Sequence, residues 1–190
     1  MSEKNPILAN PAPLGLAGFG MTTILLNLTN MGLFGVNSVI VAMGIFYGGL
    51  AQIIAGAMEF RKGNTFGTLA FTSYGLFWLT LVFIIISTVE RPAVTPDNAT
   101  WAAYLFIWGL FTLMMFFGTL KLNRALQTIF LTLAVLFFLL TASHFIPQLL
   151  PIAGVEGVFC GFCAFYTSMA EVLNETYKKT VLPIGPMKAE

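Results

Sequence analysis

The stretch RKGNTFGTLAFTSYGLFWLTLVFIIISTVER, residues 61–91, decides what kind of molecule this is. Between Arg61-Lys62 and Glu90-Arg91, the segment from Gly63 to Val89 carries no Asp, Glu, Lys or Arg. A helix of roughly 20 apolar residues, rising 1.5 Å per residue, crosses the ~30 Å hydrocarbon layer of a bilayer, and this segment is longer than that. Working outward, similar stretches lie at Leu14 to Met31, Val36 to Phe60, Phe66 to Thr88, Ala99 to Leu120, Ala125 to Phe145 and Ala153 to Asn174. The reading is an all-α integral membrane protein with six transmembrane helices in one domain, residues 14–174. It is flanked by an N-terminal segment, 1–13, and a tail, 175–190.

The sparse charges orient the bundle. Only 9% of residues are charged, and every basic residue except Arg91 falls in alternate gaps: Lys4, then Arg61 and Lys62, then Lys121 and Arg124, then Lys178, Lys179 and Lys188. Such a bias marks cytoplasmic loops, so both termini are expected in the cytoplasm of a multi-pass plasma or inner membrane protein. The links Thr29–Asn37, Glu90–Asn98 and Ser143–Pro151 are then outside. With 57% hydrophobic residues and a mean hydropathy of +0.86, a chain this size has more apolar surface than a soluble fold would bury. A net charge of +1 gives no reason to expect a nucleic-acid partner. Met1 to Pro13 lacks the basic and apolar regions of a cleavable signal, so the first helix is expected to be retained.

Other patterns point to packing. Cys160-Gly161-Phe162-Cys163 sits in mid-helix among Val158, Phe159 and Phe165, where small packing residues are a better reading than a redox pair. Gly44 and Gly48, and Gly157 and Gly161, recur at four-residue spacing and let helices approach closely, within the bundle or between subunits. Asn10, Asn64 and Asn123 each precede an odd-numbered helix. They read either as three N-caps or as marks of three divergent helical hairpins.

The first helix is introduced by Asn10-Pro11-Ala12-Pro13-Leu14-Gly15-Leu16, followed by Gly18-Phe19-Gly20-Met21-Thr22-Thr23. With Glu59-Phe60-Arg61-Lys62-Gly63-Asn64-Thr65-Phe66-Gly67, Ala70-Phe71-Thr72-Ser73-Tyr74-Gly75, Glu171-Val172-Leu173-Asn174-Glu175 and Val181-Leu182-Pro183-Ile184-Gly185, it resembles the acetate uptake transporter family. That family contains bacterial succinate-acetate permeases and fungal acetate and ammonia-export-related proteins. The resemblance implies a homohexamer of six-helix protomers, each with its own pathway for acetate and a constriction of one Phe, one Tyr and one Leu. On this chain these match Phe19, Tyr74 and Leu133, with Leu131 and Leu136 near the last. It also implies a selectivity position at Ala164, for which packing is the alternative. Phe19 lies nine residues after Asn10, and Tyr74 and Leu133 lie ten after Asn64 and Asn123, so all three fall about 15 Å into their helices.

A carboxylate crossing lipid needs donors or must shed its charge. The sequence offers Asn10, Thr22, Thr23, Asn27, Gln52, Thr72, Ser73 and Thr132, each of which could equally serve a helix-to-helix hydrogen bond. Arg61, Lys62, Lys121 and Arg124, with three helix N-termini, would draw an anion to the cytoplasmic mouth. Glu59 and Glu171 are placed at cytoplasmic helix ends, and Glu156 and His144 toward the outside. With no ionisable group expected at mid-depth, the path is read as channel-like or as symport in which the solute's own carboxyl carries H+. No cofactor or metal is expected, and no enzyme, for want of a nucleophile, metal cluster or paired acids. The competing transport reading is a channel for a small neutral solute such as urea or ammonia.

Overall fold

Short polar side chains set where the helices start. In the computed structural model, which describes residues 8–187, the membrane-spanning elements are α1 (Ala12–Asn30), α2 (Ser38–Arg61), α3 (Thr65–Glu90), α4 (Asn98–Thr119), α5 (Arg124–Ser143) and α6 (Leu149–Tyr177). Among the described residues, six helices are therefore long and apolar enough to span a bilayer, and the protein is a multi-pass, all-α membrane protein. Lys4 and Lys188 lie outside the described residues.

Asn64 and Asn123 cap α3 and α5, each accepting a backbone N–H three residues on, at 3.1 and 2.8 Å. Asn10 departs from the expectation. The cap of α1 is Pro11, without a side-chain bond; Asn10 Oδ1 accepts the Ala12 N–H at the start of α1 at 3.3 Å, and the same side chain also bonds Glu171 and Lys62. Nor are such caps confined to odd helices, since Asn37 caps α2 at 3.0 Å and Asp97 caps α4 at 2.7 Å. Helix α6 starts at Leu149, not near Ala153, because Pro151 occupies its first turn, where a missing N–H has no intrahelical acceptor to lose.

The expected uninterrupted α2 is corrected over Met43–Ala51, where the turns widen into a π-helix. Three glycines, Gly44, Gly48 and Gly49, lie in this stretch. The α3 side chains Val82 and Trp78 pack into the space that Gly44 and Gly48 leave. Those glycines, and Gly157 and Gly161 against α1, therefore make contacts within the bundle.

Around an apolar core, burial departs from that of a water-soluble domain in two ways. Phe46, Phe60, Phe83, Ile107 and Met114 are exposed, whereas Thr22, Asn27, Gln52, Thr112, Thr119, Thr167 and Ser168 are buried. Hydrocarbon cannot hydrogen-bond, so polar groups must find partners inside. Several return to their own helix four residues back: Gln52 to the Gly48 carbonyl at 2.7 Å, Thr112 to Trp108 at 2.7 Å, and Thr167 to Cys163 at 2.7 Å.

Helix α1 packs chiefly along α6, with α4 on α5, α5 on α6 and α2 on α3. Two close approaches of α1 to neighbouring backbone rest on glycine. A Cβ at Gly18 would stand 2.5 Å from the Tyr47 carbonyl oxygen of α2, and one at Gly20 would stand 2.7 Å from the Gly161 carbonyl oxygen of α6. Because both obstacles are backbone, neither moves aside cheaply. Gly18→Val should therefore destabilise the bundle by about 1–3 kcal/mol through overpacking. A lowered midpoint of thermal unfolding in detergent would register this, whereas Gly35→Val, at a site with nothing within 4 Å, should leave the midpoint unchanged.

Candidate functional site

Two cavities lie end to end inside the bundle. One, labelled inner only for the end of the bundle that bears Lys62, is about 310 Å³ and is lined at that end by Asn10, Glu59, Lys62, Asn64, Asn123 and Glu171. The outer one, about 320 Å³, opens among Asn30, Val36, Trp101, Ser143, His144 and Leu150. Among the described residues, only Phe19, Tyr74 and Leu133 line both.

These three side chains come from α1, α3 and α5 and are 7%, 4% and 3% exposed. The Phe19 and Tyr74 ring centroids are 6.1 Å apart. Tyr74 is further enclosed by Trp108, Phe111 and Phe130 at 6.2, 5.6 and 6.0 Å, and its hydroxyl donates to Thr112 Oγ1 at 2.9 Å. Rings in tilted or edge contact add about 0.5–1.5 kcal/mol per pair beyond area burial, so the tyrosine is held firmly. Of the neighbouring leucines, Leu131 is 47% exposed and faces away, while Leu136 lines only the outer cavity.

The inner mouth carries a polar network that joins the start of α1, the end of α2, the cap of α3 and α6. Lys62 Nζ donates to Asn10 Oδ1 at 3.1 Å and lies 3.9 Å from Glu59 Oε1. Asn10 Nδ2 donates to Glu171 Oε2 at 2.8 Å, and Asn64 Nδ2 to Glu59 Oε2 at 2.8 Å. Sequence reasoning did not place Glu59 or Glu171 in the site. The i, i+3 pair Glu59 and Lys62 was the available signal for one of them, but nothing local connects Glu171 to Asn10.

The remaining expected residues divide. Asn10, Gln52 and Lys62 line the inner cavity, and Thr23 and Asn27 the outer one. Thr22, Thr72, Ser73, Thr132 and Ala164 line neither. The Thr22 hydroxyl reaches the Met43 carbonyl at 3.4 Å, and Thr72 fills the space over Gly56 of α2. Thr132 bonds the carbonyls of Thr128 and Ile129 at 2.8 and 3.1 Å, and Ala164 is buried against Gly20. Ser73 is half-buried.

Among the four basic residues expected at the mouth, Lys62 is the one in the cavity wall. Arg61 and Lys121 are exposed and line neither cavity. Arg124 donates to Gln127 Oε1 at 2.8 Å beside a groove between α5, α6 and the tail. The start of α5 is closed to an anion as well. Its Arg124 and Ala125 N–H groups donate to the Gly185 and Ile184 carbonyls at 2.8 and 3.1 Å, and Asn123 takes that of Leu126. The helix-dipole contribution expected there is thereby occupied by the tail.

At the outer mouth His144 stacks on Trp101 with ring centroids 5.9 Å apart, and burial lowers its pKa below the ordinary 6.5. Glu156 stands about 10 Å into α6, a turn deeper than expected because that helix starts earlier, and it lines neither cavity. Cys160 and Cys163 are not bonded to each other, and the Cys160 thiol faces the Ile129 carbonyl at 3.7 Å.

The chain is 56% identical to the succinate-acetate/proton symporter SatP of Escherichia coli over 95% of this chain and 97% of that protein. It is 32% identical to acetate permease A of Emericella nidulans, over 93% of this chain and 66% of the permease. A solved structure, that of the bacterial acetate channel SatP, superposes with a TM-score of 0.91 at 56% identity, covering 94% of this chain and all of the other. These relatives are transporters or channels, not enzymes. Residues 2–189 match the GPR1/FUN34/yaaH family, and the chain belongs to it.

Proposed function

We propose that this protein carries acetate and related short carboxylates across a membrane, from one cavity to the other past a constriction of Phe19, Tyr74 and Leu133. The observation that carries the reading is that these three residues, alone among the described residues, line both cavities. The names of the relatives, an acetate channel and symporter and an acetate permease, support the substrate class.

The chemistry follows from what the walls contain. Lys62, Asn10 and Gln52 offer donors on the inner side, and the Phe–Tyr–Leu waist offers none to a passing carboxylate except through Tyr74, whose hydroxyl is engaged with Thr112. A solute there exchanges its hydration for an apolar surround, which is far cheaper for a neutral acid than for an anion. Among the described residues, no Asp, Glu, Lys, Arg or His lies in the wall between Glu59 and His144, which supports a reading in which a proton crosses on the solute's own carboxyl. In this reading the basic end faces the cytoplasm and the chain assembles as a homohexamer in the plasma or inner membrane. The exposed aliphatic and aromatic faces then meet lipid and neighbouring protomers.

Three measurements test it. In proteoliposomes, Phe19→Ala, Tyr74→Ala and Leu133→Ala should each raise radiolabelled acetate flux several-fold, since about 1 kcal/mol off a barrier is roughly fivefold in rate. Unchanged flux in all three, or urea flux equal to that of acetate, would sink the proposal. Lys62→Gln should weaken apparent acetate affinity from the inner side about as much as neutralising Arg61, Lys62, Lys121 and Arg124 together, and the difference should shrink in high salt. Because burial keeps His144 neutral until the pH falls below 6.5, acid should strengthen acetate entry from its side by adding a cation, and His144→Gln should remove that component. Among the described residues, no Asp, Glu, Lys or Arg lines the outer cavity to mimic it.

A further inference from the structure

The groove between α5, α6 and the tail, about 390 Å³, shares no lining residue with either cavity of the pathway. Its wall holds Arg124 of α5, Phe159, Phe162 and Tyr166 of α6, and Pro183 and Gly185 of the tail. Among the described residues, Arg124 is its one charged side chain. The register of the two helices gives the groove a direction. Cys160, next to Phe159, faces the Ile129 carbonyl at 3.7 Å, and Ile129 lies five residues into α5 from Arg124. Five helical residues rise about 7.5 Å, so the groove runs from a cation at the helix start to phenylalanine roughly that far into the membrane. Phe159 and Phe162 are 55% and 56% exposed, so this apolar stretch is open along the side of the bundle.

The arginine is held in place. A Cβ on Gly185, whose φ is +62°, would stand 2.9 Å from Arg124 Cβ and Cγ, so the arginine stem lies directly on the tail. The tail is itself pinned to α6, since Asn174 Oδ1 accepts the Val181 and Leu182 N–H groups at 2.6 and 3.0 Å and its Nδ2 donates to the Leu182 carbonyl at 2.8 Å. One guanidinium nitrogen donates to Gln127, which leaves most of its five N–H groups to a guest. The hydroxyls of the wall are already matched: Tyr166 donates to the Pro183 carbonyl at 2.8 Å, Thr128 to that of Arg124 at 3.0 Å, and Thr167 to that of Cys163 at 2.7 Å. A guest therefore meets one cation at one end and hydrocarbon along the rest. A free anion would leave the phenylalanines unmet, and an apolar protein face would leave the guanidinium unmet.

We propose that this groove binds an anionic phospholipid from the leaflet at the basic end of the bundle. Its phosphate lies within reach of the Arg124 guanidinium, which suits phosphate through paired N–H groups, and an acyl chain lies against Phe159 and Phe162. The site needs only the membrane-spanning fold and is independent of the solute carried.

The test is fluorescence quenching of the whole protein in phosphatidylcholine vesicles. Phe162→Trp puts a fluorophore in the groove, read as the difference from the unsubstituted protein, and Phe159→Trp gives a second, deeper reading. Phosphatidylglycerol with brominated acyl chains should quench the introduced indole at about one-fifth of the mole fraction that brominated phosphatidylcholine requires. Adding Arg124→Gln should bring the two lipids level, whereas Arg124→Lys, which keeps the charge, should retain most of the preference. Equal quenching by the two lipids with Arg124 in place overturns the proposal. So does no quenching by either, which would mean that a second copy of the chain covers the groove. A preference abolished by sodium phosphate but not by sodium chloride of the same ionic strength would assign Arg124 to a free anion, and overturns it as well.

Discussion

Helix α1 can stand at the centre of this bundle only because it presents backbone where other helices present side chains. At Gly18 and Gly20 it comes so close to the carbonyls of Tyr47 and Gly161 that a single methyl group would collide with either. Everything the proposed pathway needs from α1 depends on that approach. Asn10 reaches Glu171 and Lys62 at the inner mouth, Phe19 meets Tyr74 at 6.1 Å, and Thr23 and Asn27 enter the outer wall. Between the two glycines stands Phe19, turned toward α3, so the residues that bring α2 and α6 close also leave the phenylalanine free to face the interior.

A second constraint is chemical. In a surround that cannot hydrogen-bond, polar side chains either turn back onto their own backbone or find one another. Thr112, Thr167 and Gln52 take the first course, and the inner mouth takes the second by joining Asn10, Lys62, Glu59, Asn64 and Glu171. A negative solute entering there meets two carboxylates as well as a lysine. The amide of Asn10 and the ammonium of Lys62 are already engaged with carboxyl or amide oxygens, the same chemistry a carboxylate solute would bring.

The features legible in the sequence are those with local causes. Apolar length located the six helices, and Asn64 and Asn123 marked two starts through capping that involves residues three apart. Phe19, Tyr74 and Leu133 came from the resemblance and from their matching offsets. In a chain with 19 phenylalanines, composition alone could not have separated an inward ring from one facing lipid. What escaped the sequence was non-local. Glu171 lies 161 residues from the Asn10 that it binds, and the carbonyls that close the start of α5 belong to Ile184 and Gly185 in the tail. The π-helical turns of α2 escaped for another reason, since three glycines announce close packing without announcing a change of helical pitch.

Tyr74 touches four aromatic rings, and its hydroxyl is tied to a threonine that is itself bonded to its own helix. To swing that ring aside, α3, α4 and α5 would have to repack together. The wall between the two cavities is thus built like the interior of a core and not like a hinged door, so its shape is decided when the chain folds and not each time a solute arrives.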